Sequence, residues 1–268
     1  MAATAKETNP LPPLAIRAWL RYDVVQREIG RLEPSTVLEI GCGQGAFGAR
    51  LAGEVKYLGV EPDNSCYRVA CSRIEPRGGR VLQGTHTVVP VGSTYDLVCA
   101  FEVLEHIEDD EGALAEWVTS VRPGGHLVLS VPAFQERFGA MDAYVGHFRR
   151  YSPVELEACL VAAGLTDVKV TVYGWPLGYA LEAVRNRIDA KKLAGAGDAS
   201  TEDLSAASGR TFQPKGRAMG VFVNAATVPF RYLQRTRPNA GTGLVAVARR
   251  PARSGTGRAE TSTNRRAG

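Results

Sequence analysis

Large apolar residues first recur at helical spacing and then gather into short continuous runs. From Leu14 to Leu32 they return every three or four positions, which predicts an amphipathic helix ahead of the first strand. Seven β-rich runs follow, with helical patterns in most of the gaps. Because the runs are apolar throughout, both faces of the predicted sheet are covered. They are Val37–Ile40, Tyr57–Val60, Arg80–Gln83, Tyr95–Ala100, His126–Val131, Val168–Tyr173 and Gly243–Ala248.

Local signals mark some of the joints between these elements. Ser152–Glu155 reads SPVE, which is a capping box with proline at the first helical position, and Gly164 ends the helix that follows. Arg122–Gly125 reads RPGG and is predicted to separate a helix from the next strand.

The strand-helix rhythm breaks after Tyr173. Two helical segments, near Leu177–Leu193 and Lys215–Gln234, flank a linker rich in glycine, alanine and serine at Ala194–Gly209. We therefore predict one domain over residues 14–249, with a core at 37–174 and a helical insertion at about 175–240. Residues 1–13 and the basic tail, 250–268, are expected to be disordered.

Composition narrows the class of protein. The net charge of +4 lies largely in the arginine-rich tail, so charge implies no nucleic-acid surface on the body of the chain. Five cysteines without a C-x-x-C pair favour free thiols in a reducing compartment. The first residues contain no apolar signal segment, and a cytoplasmic location is expected.

The stretch VLEIGCGQGAFG places Gly41, Gly43 and Gly45 where the first strand ends. Glycines there let the backbone take positive φ and approach a ligand closely, and the following helix N-terminus would add N–H donors. Read with Ala46 in the last position, the loop also fits a dinucleotide fingerprint, with Glu61 as the ribose ligand. The loop alone leaves two cofactor classes open.

Glu39 helps to choose between these classes. It lies inside the first strand, where a carboxylate is costly without a cationic or donor partner. A pyrophosphate would repel it, whereas a ligand with an ammonium group would suit it. A ligand with an amino-acid head and a nucleoside body satisfies both Glu39 and Glu61. S-adenosylmethionine is such a ligand.

Four blocks resemble one family in their order and spacing. They are VLEIGCGQG, YLGVEPD, YDLVCAFEVLEHI and RPGGHLVLSVP, spread over residues 37–174. On these blocks the chain resembles the class I S-adenosylmethionine-dependent methyltransferases of the small-molecule type. The resemblance implies a doubly wound, mostly parallel, seven-stranded α/β sheet of the Rossmann-like type, whose last strand is antiparallel.

The resemblance also implies site residues for S-adenosylmethionine. Many members place an aspartate after the third strand to bind the adenine, but this chain has Gly84, Thr85 and His86 there, so a hydroxyl or carbonyl would substitute. Glu102 could flank the cofactor or cap the following helix. The predicted cofactor-binding residues are Glu39, Gly41, Cys42, Gly43, Gln44, Gly45, Glu61, Pro62, Thr85, Phe101 and Glu102.

Two histidines are candidates for the chemistry on the acceptor. His147 follows the fifth strand in DAYVGHFRRYS, at the sheet edge where this fold binds its ligands, and is the predicted general base for a hydroxyl acceptor. His106, in EVLEHI, is the second catalytic candidate, with a structural role as its alternative. Arg149 and Tyr151 are the predicted substrate residues.

Several chemistries are not indicated. The sequence shows no metal-ligand spacing. The acidic run EDDE at Glu108–Glu111 reads as the start of a helix, and no metal is expected. The chain has FEVL where amino-methylating nucleic-acid enzymes carry an N/D-P-P-Y/F tetrapeptide. Cys99 lies within a predicted strand and is unsuited as a nucleophile. A nucleic-acid substrate is therefore not expected.

Residues 218–230 form an uncharged stretch between basic residues, too short to span a bilayer. It reads as a lid or homodimer helix with a kink at Pro229, or alternatively as a contact with an apolar substrate or a membrane surface. The predicted function is methyl transfer to a small-molecule or lipid-like acceptor, at oxygen. The alternatives are a non-catalytic S-adenosylmethionine sensor and an NAD-dependent oxidoreductase.

Overall fold

The structure, a computed structural model, describes residues 11–193 and 216–252. A seven-stranded sheet in this part of the chain has the order β3-β2-β1-β4-β5-β7-β6. Strands β1 to β5 pair in parallel, whereas β7 is antiparallel to both β5 and β6. This confirms the predicted mostly parallel sheet with an antiparallel last strand. The strands are β1 (Thr36–Ile40), β2 (Lys56–Glu61), β3 (Arg80–Gln83), β4 (Tyr95–Phe101), β5 (Val121–Pro132), β6 (Thr166–Gly174) and β7 (Gly241–Arg249).

Helices cover both faces of the sheet. One apolar core lies under the helices Asp110–Thr119 and Pro153–Ala162, and Leu127 and Leu129 of β5 belong to it. The other lies under the helices Ile16–Leu32 and Asn64–Ile74, and Val128 of β5 belongs to that one. This alternation along β5 is that of a strand buried on both faces. The helices are α1 (Ile16–Leu32), α2 (Gly48–Leu51), α3 (Asn64–Ile74), α4 (Asp110–Thr119), α5 (Ala140–Tyr144), α6 (Pro153–Ala162), α7 (Leu177–Leu193) and α8 (Arg217–Gln234).

Helix α1 is joined to α8 of the insertion by a buried carboxylate. Asp23 accepts hydrogen bonds from Gln234 Nε2 at 3.2 Å and from Arg235 Nε at 3.2 Å, and it also pairs with Arg27. Because a buried carboxylate needs such partners, the pairing fixes α8 against α1. Helix α8 continues through Pro229.

The two predicted joints have different outcomes. The capping box at Ser152 is confirmed, since the Ser152 hydroxyl accepts from Glu155 N at 3.2 Å and Ser152 N donates to the Glu155 carboxylate at 2.8 Å. The prediction for Arg122–Gly125 is wrong, because these residues lie within β5. Val121 pairs with Tyr95 and His126 with Leu97, so the four intervening residues form an irregularity that Gly124, at φ +77°, makes sterically possible.

The ends of the domain also differ from expectation. Pro12 is buried and its carbonyl accepts from Arg50 at 2.8 Å, although disorder was expected up to residue 13. Arg250 exchanges backbone hydrogen bonds with Gly124 and Gly125, although it was assigned to the tail. The predicted linker, Ala194–Gly209, lies outside the described residues. Of the helices in 11–193 and 216–252, none combines the length and apolar character needed to cross a bilayer.

Candidate active site

The sheet order brings the predicted cofactor-binding residues to one edge. Strands β3, β2, β1 and β4 are neighbours and run in parallel, so their carboxyl ends lie side by side. The glycine loop follows β1, Glu61 ends β2, Thr85 follows β3 and Glu102 follows β4. In doubly wound folds this edge is where ligands bind.

The three glycines of the loop all have positive φ, at +68°, +54° and +71° for Gly41, Gly43 and Gly45. A Cβ at Gly41 would lie 2.6 Å from Val103, and one at Gly45 would lie 2.7 Å from Ile74. A Cβ at Gly43 would meet nothing within 4 Å. Gly41 and Gly45 are therefore required by packing, whereas Gly43 faces open space that a ligand can occupy.

The helix behind the loop differs from the prediction. We expected its N-terminus to follow the glycines directly, but α2 begins only at Gly48 and lasts a single turn. Such a short helix contributes little dipole. The donors available to a ligand are therefore the N–H groups of the loop itself.

Glu61 shapes the glycine loop from the neighbouring strand. Its carboxylate accepts from Gly43 N at 2.7 Å and from Asp63 N at 3.0 Å. Burial raises the pKa of Glu61, and these two hydrogen bonds offset only part of that effect. Its role toward a ribose remains a prediction, because the carboxylate is held by the backbone in this structure.

The other residues predicted around the loop have different surroundings. Cys42 is buried with its N–H bonded to Val60 O, and burial raises the pKa of its thiol. The Gln44 carbonyl accepts from Arg73 at 2.9 Å. Pro62 and Thr85 are exposed at the same edge, and their cofactor roles stay predictions.

Glu39 has a partner that the sequence analysis did not identify. It is buried in β1, and the Tyr57 hydroxyl donates to its carboxylate. Glu39 lies opposite Gly59 on β2, and because Gly59 has no side chain, the Tyr57 ring has room to reach it. Burial raises the pKa of Glu39 to about 8, which the Tyr57 hydrogen bond moderates.

Phe101 and Glu102 stand at the end of β4. The Phe101 ring packs edge-on against Phe47, with centroids 4.6 Å apart. Glu102 has φ +58°, an unusual value for a residue other than glycine, and such values occur at functional sites. Its carboxylate accepts from the Ser130 hydroxyl at 2.9 Å and pairs with Arg21 at 3.2 Å.

The alternative that Glu102 caps the next helix is wrong. The 3-10 turn that follows, Leu104–His106, has no side-chain cap, and helix α4, which begins at Asp110, is capped by the Asp109 side chain accepting from Gly112 N. Burial pushes the pKa of Glu102 upward, but Arg21 and Ser130 outweigh it and hold the pKa below its ordinary value. Glu102 is therefore an ionised carboxylate at the site edge.

The two candidate histidines lie against each other. The rings of His106 and His147 meet edge-on with centroids 4.5 Å apart, because Phe148 N donates to Glu105 O at 2.8 Å and joins the two loops. Burial and the neighbouring His147 lower the pKa of His106 to about 4. His106 is therefore neutral near pH 7.

Asp142 orients His147. The His147 Nδ1 atom lies 3.1 Å from one Asp142 oxygen, and Arg150 and Gly139 N donate to the same carboxylate. Burial opposes ionisation of Asp142, but His147, Arg150 and Gly139 together hold its pKa well below the ordinary value. An ionised carboxylate fixes Nδ1 as the donor and leaves Nε2 as an acceptor.

Sequence reasoning missed Asp142, although it stands five residues before His147 in DAYVGH. The two side chains come together because α5 ends in a tight turn, in which His147 N donates to Asp142 O at 2.8 Å. The spacing of the two residues would not have shown this, since five positions is not a helical neighbour distance.

Arg149 and Tyr151 bind one acidic residue. Both reach Asp110 at the start of α4, Tyr151 through a hydroxyl that donates at 2.7 Å. Neither lines the cavity beside His147. Their role toward a substrate remains a prediction, and the structure gives both of them a bond within the protein.

The cavity beside His147 is about 60 Å³ in volume. The side chains of Glu102 and His147 line it at the sheet edge, and residues of helices α1 and α7 line its other side. Helix α1 was predicted as an element but not as a wall of the site. The remaining lining residues are Arg17, Arg21, Pro132, Asp142, Arg150, Tyr173, Arg185 and Thr242.

Glu105 lies beneath the histidines and is fully buried. Within the described residues neither of its carboxylate oxygens has a hydrogen-bond partner, and burial raises its pKa well above the ordinary value. Its oxygens and the ring nitrogens of His106 and His147 offer ligand atoms within 4.8 Å of one another. These three side chains could hold a metal ion, although the sequence showed no metal-ligand spacing.

Comparison with known proteins identifies the family of this chain. A family model described as a methyltransferase domain matches residues 16–170, more than half of the chain. This chain has the glycine loop, the acidic residues at strand ends and the sheet order of an S-adenosylmethionine-binding Rossmann-like protein. The chain belongs to the class I S-adenosylmethionine-dependent methyltransferases.

Individual relatives are more distant. An uncharacterized methyltransferase of Mycolicibacterium gilvum is 30% identical over 42% of this chain, which spans 45% of that relative's length. A ubiquinone biosynthesis O-methyltransferase of Methylobacterium nodulans is 29% identical over 58% of this chain and 73% of its own. The solved phosphoethanolamine N-methyltransferase 2 of Haemonchus contortus, in complex with S-adenosyl-L-methionine, shares the fold with a TM-score of 0.53, at 16% identity, over 86% of this chain and 52% of that one.

Replacing Gly43 by alanine is expected to weaken cofactor binding while the protein stays folded. The methyl group enters the open space at the loop, so affinity for S-adenosylhomocysteine, measured by isothermal titration, should fall about tenfold or more. Gly92→Ala is the matched control, because Gly92 also has positive φ and open surroundings but lies in the turn before β4. Both variants should lose about 1–2 kcal/mol of stability. An equal loss of affinity in both would contradict the loop assignment.

Glu39→Gln is expected to change how stability depends on pH. The folded-state pKa of about 8 lies above the ordinary 4.5, so the unfolded chain releases this proton first. Wild-type protein therefore loses stability as the pH rises from about 4.5 to 8, by an amount on the order of a few kcal/mol. Urea unfolding at pH 5 and pH 8.5 should show a smaller decline for Glu39→Gln and the wild-type decline for the exposed Glu54→Gln control. An identical decline of stability with pH in all three proteins would contradict a raised pKa of Glu39.

Proposed function

We propose that this chain transfers a methyl group from S-adenosylmethionine to an oxygen atom of a small-molecule or lipid-like acceptor. The observation that supports it most is the pair of His147 and Asp142 at the cavity that Glu102 also lines. A protein that only senses the cofactor has no need of a base oriented by a buried carboxylate. The Methylobacterium nodulans relative is named as an O-methyltransferase, which favours oxygen as the acceptor atom.

The residues of the loop edge fit the cofactor. Open space at Gly43 accommodates a ligand, and Glu61 stands beside it with lone pairs that can accept from a ribose diol. Phe101 and Glu102 line the approach from β4. When bound there, S-adenosylmethionine supplies an electrophilic methyl group on a sulfonium.

His147 acts on the acceptor hydroxyl in this proposal. As the acceptor oxygen bonds to the methyl carbon, the carbon-sulfur bond breaks and its electron pair stays on sulfur, giving S-adenosylhomocysteine. The hydroxyl proton passes to His147 Nε2, and Asp142 stabilises the imidazolium through Nδ1. Neutral His106 packs against the His147 ring and limits its rotation. The main task of the protein is to align acceptor and methyl group.

Helix α8 supports a further part of the proposal, contact with a lipid surface. Apolar side chains along it are exposed, with Val221 at 69% and Phe222 at 67%, and Arg217 stands at its start. A basic amphipathic helix of this kind suits an anionic membrane surface. A homodimer through the same face is the alternative, and the cytoplasm remains the expected location.

Direct assay tests the proposed activity. The chain is incubated with methyl-labelled S-adenosylmethionine and a panel of phenols, hydroxy acids and amines, and labelled products are counted. We expect label on a hydroxyl acceptor and none on its O-methylated counterpart. Transfer only to amines would contradict oxygen as the acceptor atom. Binding of NAD in place of S-adenosylhomocysteine would contradict the whole proposal.

His147→Ala is expected to reduce turnover by about 10²–10⁴-fold while affinity for S-adenosylhomocysteine stays within twofold of wild type. The reason is that His147 faces the acceptor cavity and not the glycine loop. His126→Ala, in the middle of β5, is the matched control and should retain turnover. Assays with and without EDTA distinguish His147 as a general base from His147 as a metal ligand. Loss of activity on chelation would make His147 a metal ligand and not the base.

A further inference from the structure

Guanidinium groups dominate the wall of the cavity beside His147. Arg17 and Arg21 reach it from α1 and Arg185 from α7, while Arg150 lies at its base. The carboxylates that line it are those of Glu102 and Asp142. The cavity therefore has more positive than negative side chains around it.

The carboxylates at this cavity are already bound. Both Asp142 oxygens accept from Arg150, at 3.0 and 2.8 Å, and Arg150 also donates to Glu182 at 2.8 Å. Glu102 pairs with Arg21 and accepts from Ser130. The neighbouring acids thus neutralise Arg150 and Arg21.

Arg17 differs from these arginines. Among the side chains that the structure describes, which leave out 186 and 188–193 on α7, Arg17 makes no ion pair with a carboxylate within 4.0 Å; its hydrogen bond is to the Thr242 hydroxyl at 3.5 Å, and its charge also acts on Glu102. The side chain is half-buried and stands one helical turn from Arg21. Arg17 and Arg21 thus share the single charge of Glu102, and the net positive charge that remains favours a further anion.

We infer that this cavity, about 60 Å³ in volume, receives the carboxylate or phosphate group of an acceptor, with Arg17 as the main anion ligand. This rests on the proposed methyltransferase function. Guanidinium groups match both anions with paired hydrogen bonds. His147 lines the same cavity, so an anion at Arg17 would hold the acceptor next to the base. The predicted substrate arginine, Arg149, is bound to Asp110 instead.

Titration with matched probes tests the anion site. Benzoate, phenyl phosphate and the neutral benzamide are each titrated into the full chain, with saturating S-adenosylhomocysteine and without it. We expect at least one anion to bind about tenfold or more tightly than benzamide. Comparison of benzoate with phenyl phosphate shows which of the two groups the site prefers.

Three variants on the same helix localise the preference. Arg17→Gln should remove it, and Arg17→Lys should restore part of it. Arg31→Gln should keep it, because Arg31 is 61% exposed at the far end of α1 and pairs with Glu28. Affinity for S-adenosylhomocysteine should stay unchanged in all three, which also shows that the fold is intact.

The results separate the two proposals. Equal affinity for benzoate, phenyl phosphate and benzamide, or an unchanged preference in Arg17→Gln, overturns the anion site and leaves the methyltransferase proposal in place. Failure of S-adenosylhomocysteine to bind the wild-type chain overturns the proposed function. Anion binding measured without S-adenosylhomocysteine would still stand in that case.

Discussion

The buried Asp142 carboxylate holds together the acceptor side of the active site. It accepts from Arg150, from Gly139 N and from His147, and Arg150 extends the contact to Glu182 on α7. Hydrogen bonds stabilise a buried ion pair, and both Asp142 oxygens have them, whereas Arg150 Nε is buried without a partner among the described residues. The orientation of His147 and the position of α7 therefore depend on the same charge.

Two kinds of charge environment meet at the sheet edge. Around the glycine loop, burial raises the pKa of Glu39 and Glu61, and beneath the histidines it does the same for Glu105. Across the edge, helix α1 contributes the guanidinium groups of Arg17 and Arg21. With a pKa of about 8, the carboxyl of Glu39 is mostly protonated at neutral pH, so the negative charge at this edge is that of Glu102, which Arg21 keeps ionised.

The parts of the site that the sequence predicted depend on local pattern. The glycine loop and the position of Glu61 follow from strand ends, and parallel pairing then brings them together without further information. Contacts between distant segments could not be predicted in this way. Tyr57 reaches Glu39 only because Gly59 leaves room, and Arg17 reaches the cavity only because α1 packs across the sheet edge. Both depend on packing in three dimensions, which a single sequence does not show.

The antiparallel last strand explains why the insertion acts on this site. Strand β6 ends at Gly174, which pairs with Gly241 at the start of β7, so residues 175–240 leave and return at the same edge of the sheet. That edge is the one where β1 to β5 end, because β6 runs parallel to them. A parallel last strand would begin at the opposite edge, away from His147. The reversal therefore places Thr242 and Arg185 in the cavity wall, where residues outside the matched family region can select the acceptor.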